Sequence, residues 1–366
     1  MLDRLPTELL RLVVDATSHS IWTRKVTLDR LGLVSKSYRR ASAALRDRVV
    51  VVSSTDDAAQ VCSWPAVKRN LAETILLGRD TTDAPDAVLQ DAQVNEMMGS
   101  LPRLQHAFVH CLDGSAMDLT GTTTNFCPDE DNPFRSPVSL SLRHARILFP
   151  FTEDPAKFAR LTRLRLDLFS RDERWFAEIA TEVDDDGLGQ LLTTRCLPSL
   201  RVLRLSCSAL PKVKDAFSRQ LKLVQVDLTE EHLDENLKVL QTWVKHSPSL
   251  LCTFSHSASA GRLRLRCSGL RYALFDNWSP PEILLALQSL GDLRAISMPQ
   301  ERYRRRPEEL YSLDRMCAEE VAGRIKDARI KVFDAGEADE DWINPEYAKL
   351  VAANELDAAP RELSVA

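Results

Sequence analysis

The residues of this chain that could carry chemistry are few and widely separated. His106, His110 and Cys111 are types that bind zinc, but two histidines four positions apart in a strand sit too far apart to chelate one ion easily. Asp184-Asp185-Asp186 offers oxygen ligands for a hard cation, and a solvated turn is the alternative interpretation. The sequence therefore predicts no metal site and no cofactor.

Motifs for nucleotide binding and nucleophilic catalysis are also missing. Gly187 and Gly189 do not follow a predicted strand and lack a third glycine, so they do not form a nucleotide loop. No Gly-x-Ser-x-Gly occurs, and no Cys/His pairing has a nucleophile signature. Arg302 and Arg304–Arg306 could be a nuclear-import signal, an anion-binding patch or a solvated turn. We therefore expect a protein that is not an enzyme.

Composition indicates a soluble globular protein. The chain has 366 residues, of which 44% are hydrophobic and 28% charged, and its net charge of -5 does not favour nucleic-acid binding. No apolar run is long enough to span a membrane, and the residues around Asp3 and Arg4 do not form a signal peptide. The eight cysteines include no Cys-x-x-Cys pair, which is typical of reduced thiols. These features predict a cytoplasmic or nuclear protein.

The first fifty residues predict a module of three short helices. Pro6 suits a first helical turn, a second helix fits Leu28–Val34, and Ser35 could cap a third helix over Lys36–Arg48. So small a bundle cannot bury all of its apolar residues. Surplus apolar surface usually marks a partner-binding site. The apolar stripe of the first helix consists of Leu5, Leu9, Leu12 and Val13.

Two stretches of this module resemble the F-box. Leu5-Pro6-Thr7-Glu8-Leu9-Leu10 is similar to the family's opening Leu-Pro-x-Glu-Leu-Leu. Leu31-Gly32-Leu33-Val34-Ser35-Lys36-Ser37-Tyr38-Arg39-Arg40 is similar to its later Leu-x-x-Val-[Ser/Cys]-Lys-x-aromatic-Arg, with Tyr38 where Trp is common. An ordinary helical bundle is the alternative. The resemblance assigns adaptor binding, or support of the adaptor-binding face, to Leu5, Pro6, Leu9, Leu10, Val13, Leu31, Val34 and Tyr38.

A second pattern, Leu-x-x-Leu-x-Leu, recurs through the rest of the chain. Its first leucines in the region from Leu200 to Leu293 are about 20 to 27 residues apart, the period of leucine-rich repeats. Each unit ends in the alternation of a half-buried strand, and helical spacing follows, most clearly in 231–246 and 280–290. Strand and helix at a fixed period build a solenoid. The units whose last parts are predicted to form strands are 71–77, 101–109, 161–168, 197–205, 223–228, 250–254, 270–275 and 293–298, and further strands are predicted at 49–52, 138–142 and 329–333.

The whole chain resembles the F-box proteins with leucine-rich repeats. This implies an α/β fold: a three-helix F-box in 1–50, then an irregular solenoid in 51–335 with parallel strands on the inner face and helices outside. A long polar loop at 111–137 interrupts the repeats. The acidic tail, 336–366, is predicted to be solvated and mobile. Alternatively it docks as a short helix through Trp342, Ile343, Tyr347, Leu350 and Val351.

The resemblance implies a non-catalytic substrate-recognition adaptor of an SCF-type ubiquitin ligase. The F-box would bind a Skp-type adaptor subunit and through it a cullin, while the repeats would hold an unknown protein substrate. Ubiquitin transfer would then be accelerated by proximity. The alternative is a leucine-rich-repeat interaction scaffold that acts outside a ubiquitin ligase.

Arginines at alternate strand positions predict where a substrate binds. Leu200, Leu203 and Leu205 are expected in the core, and Arg204 on the opposite face of the same strand, free for contact. Arginine pairs with carboxylate or phosphate through two prongs, so this face would take an acidic or phosphorylated segment. Solvated strand edges are the alternative. The predicted substrate-binding residues are Arg165, Arg201, Arg204, Arg264, Arg266 and Arg294.

Overall fold

A computed structural model of the protein shows a mixed α/β fold whose strands lie in the sheet in the same order as in the chain. Eleven strands are found among the described residues, and every strand pair of known register is parallel. Such an arrangement is compatible with a solenoid-like α/β fold. The structure describes residues 21–34, 36–78, 96–110, 138–143, 158–167, 189, 192–207, 210–212, 215–228, 233–254, 267–276, 278–298, 312–333 and 345–358.

Each of the eleven strand predictions is confirmed, because a strand lies within or largely overlaps the predicted range. In the repeat units the signal is the alternation of apolar and polar residues, whereas β1 is predicted by four consecutive valines. The strands are β1 (Val49–Val52), β2 (Thr74–Gly78), β3 (His106–His110), β4 (Ser139–Arg143), β5 (Arg163–Asp167), β6 (Val202–Cys207), β7 (Leu223–Leu228), β8 (Leu250–Phe254), β9 (Tyr272–Phe275), β10 (Ala295–Ser297) and β11 (Lys331–Val332).

Helices lie between many of these strands. The spacing of apolar residues predicted the helices over 231–246 and 280–290, and both are confirmed. The described helices are α1 (Ile21–Val34), α2 (Lys36–Arg46), α3 (Thr55–Cys62), α4 (Ala66–Arg69), α5 (Asp215–Gln220), α6 (Leu233–His246), α7 (Pro280–Ser289), α8 (Ser312–Asp327) and α9 (Pro345–Ala358).

The chain divides into two compact units. One comprises Met1–Leu200 with Glu340–Trp342, and the other comprises Arg201–Asp339 with Ile343–Ala366. The first unit therefore holds α1 to α4 and β1 to β5, and the second holds β6 to β11 with α5 to α9. The predicted polar loop at 111–137 lies outside the described residues.

In the first unit, α1 and α2 pack against each other through Leu28 and Leu45, with Leu31 beside them. Gly32 lies where α1 approaches α2, because a β-carbon there would be 3.7 Å from the Ser42 hydroxyl oxygen. Arg46 of α2 reaches Asp29 of α1 at 3.8 Å. This pair of helices then continues directly into β1.

The predicted start of the second N-terminal helix is wrong. The helix expected to begin at Leu28 begins at Ile21. Thr23, Arg24 and Lys25 conceal this part of α1 by interrupting its apolar pattern. The predicted first helix and Ser35 lie outside the described residues.

In the second unit, the strands have two faces that the register defines. We call one the Leu203 face, because Leu203 aligns with Val224 and with Leu250 of the next strand. We call the other the Arg204 face. Its rows are Arg204–Gln225–Leu251–Tyr272–Ala295 and Ser206–Asp227–Thr253–Leu274–Ser297.

Both faces of the central strands are buried. The predicted core positions Leu200, Leu203 and Leu205 are confirmed, since each is 0% exposed. The expectation of a half-buried strand with free outward side chains is wrong for β6, β7 and β8, where all positions but the first of β6 and β7 are buried. Parallel sheets are typically covered on both sides.

Helix α9 covers part of the Arg204 face. Tyr347 and Val351 are buried in one cluster with Leu251, Tyr272 and Ala295. The Tyr347 ring meets the Tyr272 ring edge-on at 5.3 Å, and its hydroxyl donates to the Val224 carbonyl oxygen at 3.3 Å. Of the two interpretations of the tail, docking as a short helix holds for Pro345–Ala358.

Candidate protein-binding site

Helix α1 ends in an exposed apolar pair. Leu31 is half-buried against the Leu28 and Leu45 cluster, and Gly32 is buried beside α2. The next two residues point the other way, so that Leu33 is 78% exposed and Val34 is 72% exposed. Two adjacent, largely exposed aliphatic side chains form a small patch that a partner can cover.

The predicted adaptor-binding residues in the described part of the module differ in exposure. Val34 is exposed, as a docking residue must be, while Leu31 supports the module's own core and Tyr38 is half-buried on α2. Sequence reasoning missed Leu33, which occupies a position that the F-box pattern leaves unspecified. The remaining predicted residues, Leu5, Pro6, Leu9, Leu10 and Val13, lie outside the described residues.

A buried polar cluster lies on the Arg204 face of the second unit. The Arg204 Nε donates to Asp227 Oδ2 at 3.1 Å, and the Ser206 hydroxyl donates to the same oxygen at 2.6 Å. The Gln225 amide donates to Asp227 Oδ1 at 3.0 Å and to the Thr253 hydroxyl oxygen at 3.4 Å. Asp227 is thus the common acceptor of the cluster.

The cluster holds Asp227 ionised. Burial alone would raise the pKa of this carboxyl, but the Arg204 guanidinium and hydrogen bonds from Ser206, Thr253 and Gln225 outweigh it and lower the pKa to about 2. The Asp227 carboxylate, held by several donors, therefore neutralises the charge of Arg204. An acidic group of a substrate could pair with Arg204 only by displacing Asp227.

The prediction that Arg204 is free for contact is therefore wrong. Its side chain is buried because Asp227 pairs with it across the two strands. Arg165 of the first unit is also buried, at 1% exposed, and lies opposite Ser141 in the register of β4 and β5. Both side chains are covered by other groups of the protein, so a substrate cannot reach either arginine unless those groups move.

Arg201 and Arg294 remain exposed. Each lies one residue before a strand, β6 for Arg201 and β10 for Arg294, and not at the alternate position of a strand interior. The other two predicted arginines, Arg264 and Arg266, lie outside the described residues. Sequence reasoning missed Asp227, which lies in a strand pattern that by itself predicts an outward-facing side chain.

The described residues contain no group of three or more His, Cys, Asp or Glu side chains that could hold a metal ion. His106 is half-buried in β3, where burial and the nearby Arg163 lower its pKa. Cys111 and Asp184-Asp185-Asp186 lie outside the described residues. In the described part of the chain, every helix is too short or too polar to cross a membrane.

The chain was compared with protein-family models and with curated proteins, and neither comparison found a match. Its fold and its exposed residues are therefore the basis for any statement about what it does.

Proposed function

We propose that this protein is a non-catalytic substrate-recognition adaptor of an SCF-type ubiquitin ligase. Its N-terminal helices would dock on a Skp-type adaptor subunit, and the strands and helices that follow would hold a protein substrate. The observation that carries the proposal is the exposed pair Leu33 and Val34, which lies inside the stretch that resembles the F-box. A parallel sheet in chain order is what a repeat array would build.

The orientation of the four residues from Leu31 to Val34 supports this function. Leu31 and Gly32 hold α1 against α2, so Leu33 and Val34 are presented on a fixed support. A rigid apolar pair loses little conformational freedom when a partner covers it, which favours tight docking. Fully burying one such side chain contributes about 1.5–3 kcal/mol.

Charge substitution at one exposed valine tests the proposal. Val34→Asp should weaken binding of the purified Skp-type adaptor subunit at least about tenfold, because an unpaired carboxylate would be buried in an apolar interface. Val67→Asp is the matched control, since Val67 of α4 is also a surface valine, 77% exposed against 72%. Binding is measured by titration calorimetry with the full chain.

The alternative, an interaction scaffold outside a ligase, gives a different result. If the wild-type chain does not bind the adaptor subunit, the ligase function is excluded. The helices would then serve another assembly. If the wild-type chain binds it and Val34→Asp and Val67→Asp bind equally well, the exposed pair Leu33 and Val34 is not the docking surface, and the observation that carries the proposal is lost.

A further inference from the structure

Cations gather at one end of the strands in the second unit. Arg201, Lys222, Arg271 and Arg294 each lie one residue before a strand, and Lys331 is the first residue of β11. We call these five residues the basic edge. Four of them are exposed and Arg271 is half-buried. An excess of basic residues in the chain does not explain this cluster of cations, because the chain has 53 acidic residues against 48 lysines and arginines.

Main-chain hydrogen bonds fix the spacing of the basic edge. The Lys222 N–H donates to the Arg201 carbonyl oxygen at 2.8 Å, and the Arg294 N–H donates to the Arg271 carbonyl oxygen at 2.8 Å. The Lys331 N–H in turn donates to the Arg294 carbonyl oxygen at 2.8 Å. The positions are therefore part of the sheet's ladder, and their backbones cannot move apart.

Four of the five residues of the basic edge are cations without a partner acid among the described residues. Within the described residues, Lys222, Arg271, Arg294 and Lys331 form no ion pair, whereas Arg315 and Arg324 of α8 and Lys349 of α9 do. Arg315, Arg324 and Lys349 each have a carboxylate oxygen within 3.2 Å. Asp292, two residues before Arg294, accepts the Gly269 N–H at 2.7 Å. The described residues therefore leave the charge of these four cations available to the acids of a partner.

The neighbouring surfaces are already occupied. Helix α9 packs on Leu251, Tyr272 and Ala295 of the Arg204 face, and Asp227 neutralises Arg204. The starting ends of these strands, in contrast, carry four exposed cations that a partner can contact. From β6 to β11 there are five strand steps, which at ~4.8 Å each span roughly 24 Å. An extended segment of roughly seven residues covers that distance.

We propose that the basic edge binds an extended acidic segment of a partner protein. Glutamate and aspartate side chains along such a segment would pair with the lysines and arginines at successive strands. If the proposed function holds, this partner is the ubiquitination substrate. The binding itself needs no adaptor subunit, so the two proposals can fail separately.

A charge-reversal pair with a matched control tests this surface. The probe is a fluorescein-labelled oligoglutamate peptide of about twelve residues, and binding to the full chain is followed by fluorescence anisotropy. Arg271→Glu/Arg294→Glu should weaken binding at least about tenfold. Lys245→Glu/Lys326→Glu changes the net charge equally, at two exposed cations of α6 and α8, and should weaken it less than about threefold. Raising the salt from about 50 mM to about 300 mM should weaken wild-type binding.

Two results would overturn the proposal. One is equal weakening by the two double variants, which would mean that only net charge matters. The other is the absence of peptide binding by the wild-type chain at low salt. If Arg271→Glu/Arg294→Glu does not fold, hydrogen exchange of the wild-type chain decides. Bound peptide must slow exchange at the starts of β6, β7, β9 and β10 and leave α6 and α8 unchanged, and protection elsewhere would reject this surface.

Discussion

The Arg204 Nε lies 3.1 Å from Asp227 Oδ2, and the two side chains are only 10% and 11% exposed. Removing one member of such a pair leaves a buried charge without compensation. Arg204→Ala should therefore lower the free energy of unfolding by about 3 kcal/mol. Arg201→Ala, at an exposed arginine three residues earlier, should change it by less than about 0.5 kcal/mol. Urea denaturation followed by circular dichroism measures both.

This expectation reverses what the sequence predicts for the same strand. By alternation alone, Leu203→Ala should destabilise the protein and Arg204→Ala should not. Leu203 is 0% exposed, so its loss should indeed cost roughly 2–5 kcal/mol. We now expect losses of similar size for the two variants. A clear loss for Leu203→Ala with none for Arg204→Ala would show that the ion pair contributes nothing.

The same cluster makes stability depend on pH. The pKa of Asp227 falls from 3.8 to about 2 on folding, so its contribution is fully present above pH 3.8 and is lost as pH falls through 2. The size of this contribution is roughly 2 kcal/mol. The difference in unfolding free energy between wild type and Asp227→Asn should therefore be largest near neutral pH and shrink by most of that amount near pH 2. A difference independent of pH would contradict the lowered pKa.

The strands were predictable because their signal is local. In Leu223–Leu228 and Leu250–Phe254, the positions of the hydrophobic residues within the segment are enough to predict a strand. The structure has strands with those bounds. The period of the units then predicts strands in chain order, as observed. Boundaries of helices were less predictable, since the polar residues at the start of α1 conceal that it begins at Ile21.

The polar cluster was not predictable because it depends on register. Arg204 and Asp227 are 23 residues apart, and each strand by itself reads as a half-buried segment with one outward charge. Only the pairing of Arg204 with Gln225 and of Ser206 with Asp227 brings the two charges together. A prediction made strand by strand therefore assigns Arg204 to solvent and to a partner.

A glycine in the second unit has a conformation that other residues rarely adopt. Gly269 has a φ of +86°, and a β-carbon there would lie 3.1 Å from Val244 Cγ1. Gly269→Ala should lower the free energy of unfolding by about 1–3 kcal/mol. Gly291→Ala is the control, because nothing lies within 4 Å of its added β-carbon. It should be neutral or add up to about 1 kcal/mol. Equal effects in thermal denaturation would contradict the strained conformation at Gly269.

Helix α9 should be a stable part of the second unit and not a mobile tail. Tyr347 is 0% exposed, contacts Tyr272 at 5.3 Å between ring centroids and donates a hydrogen bond to the Val224 carbonyl oxygen. Tyr347→Ala should remove roughly 3 kcal/mol of docking free energy, which a large buried aromatic residue contributes. The lost free energy cannot exceed the total docking free energy of α9, because the sheet stays folded when α9 undocks.

Hydrogen exchange of the full chain measures this docking directly. In wild type, amides of α9 should exchange far more slowly than those of a solvated peptide, and Tyr347→Ala should accelerate them at least about tenfold. Lys349→Ala is the control: its side chain is 72% exposed and pairs only with Glu346 of the same helix at 2.6 Å. It should change exchange by less than about threefold. If the amides of α9 already exchange fast in the wild-type chain, the interpretation of this segment as a mobile tail is correct. Leu251, Tyr272 and Ala295 would then be accessible to a partner.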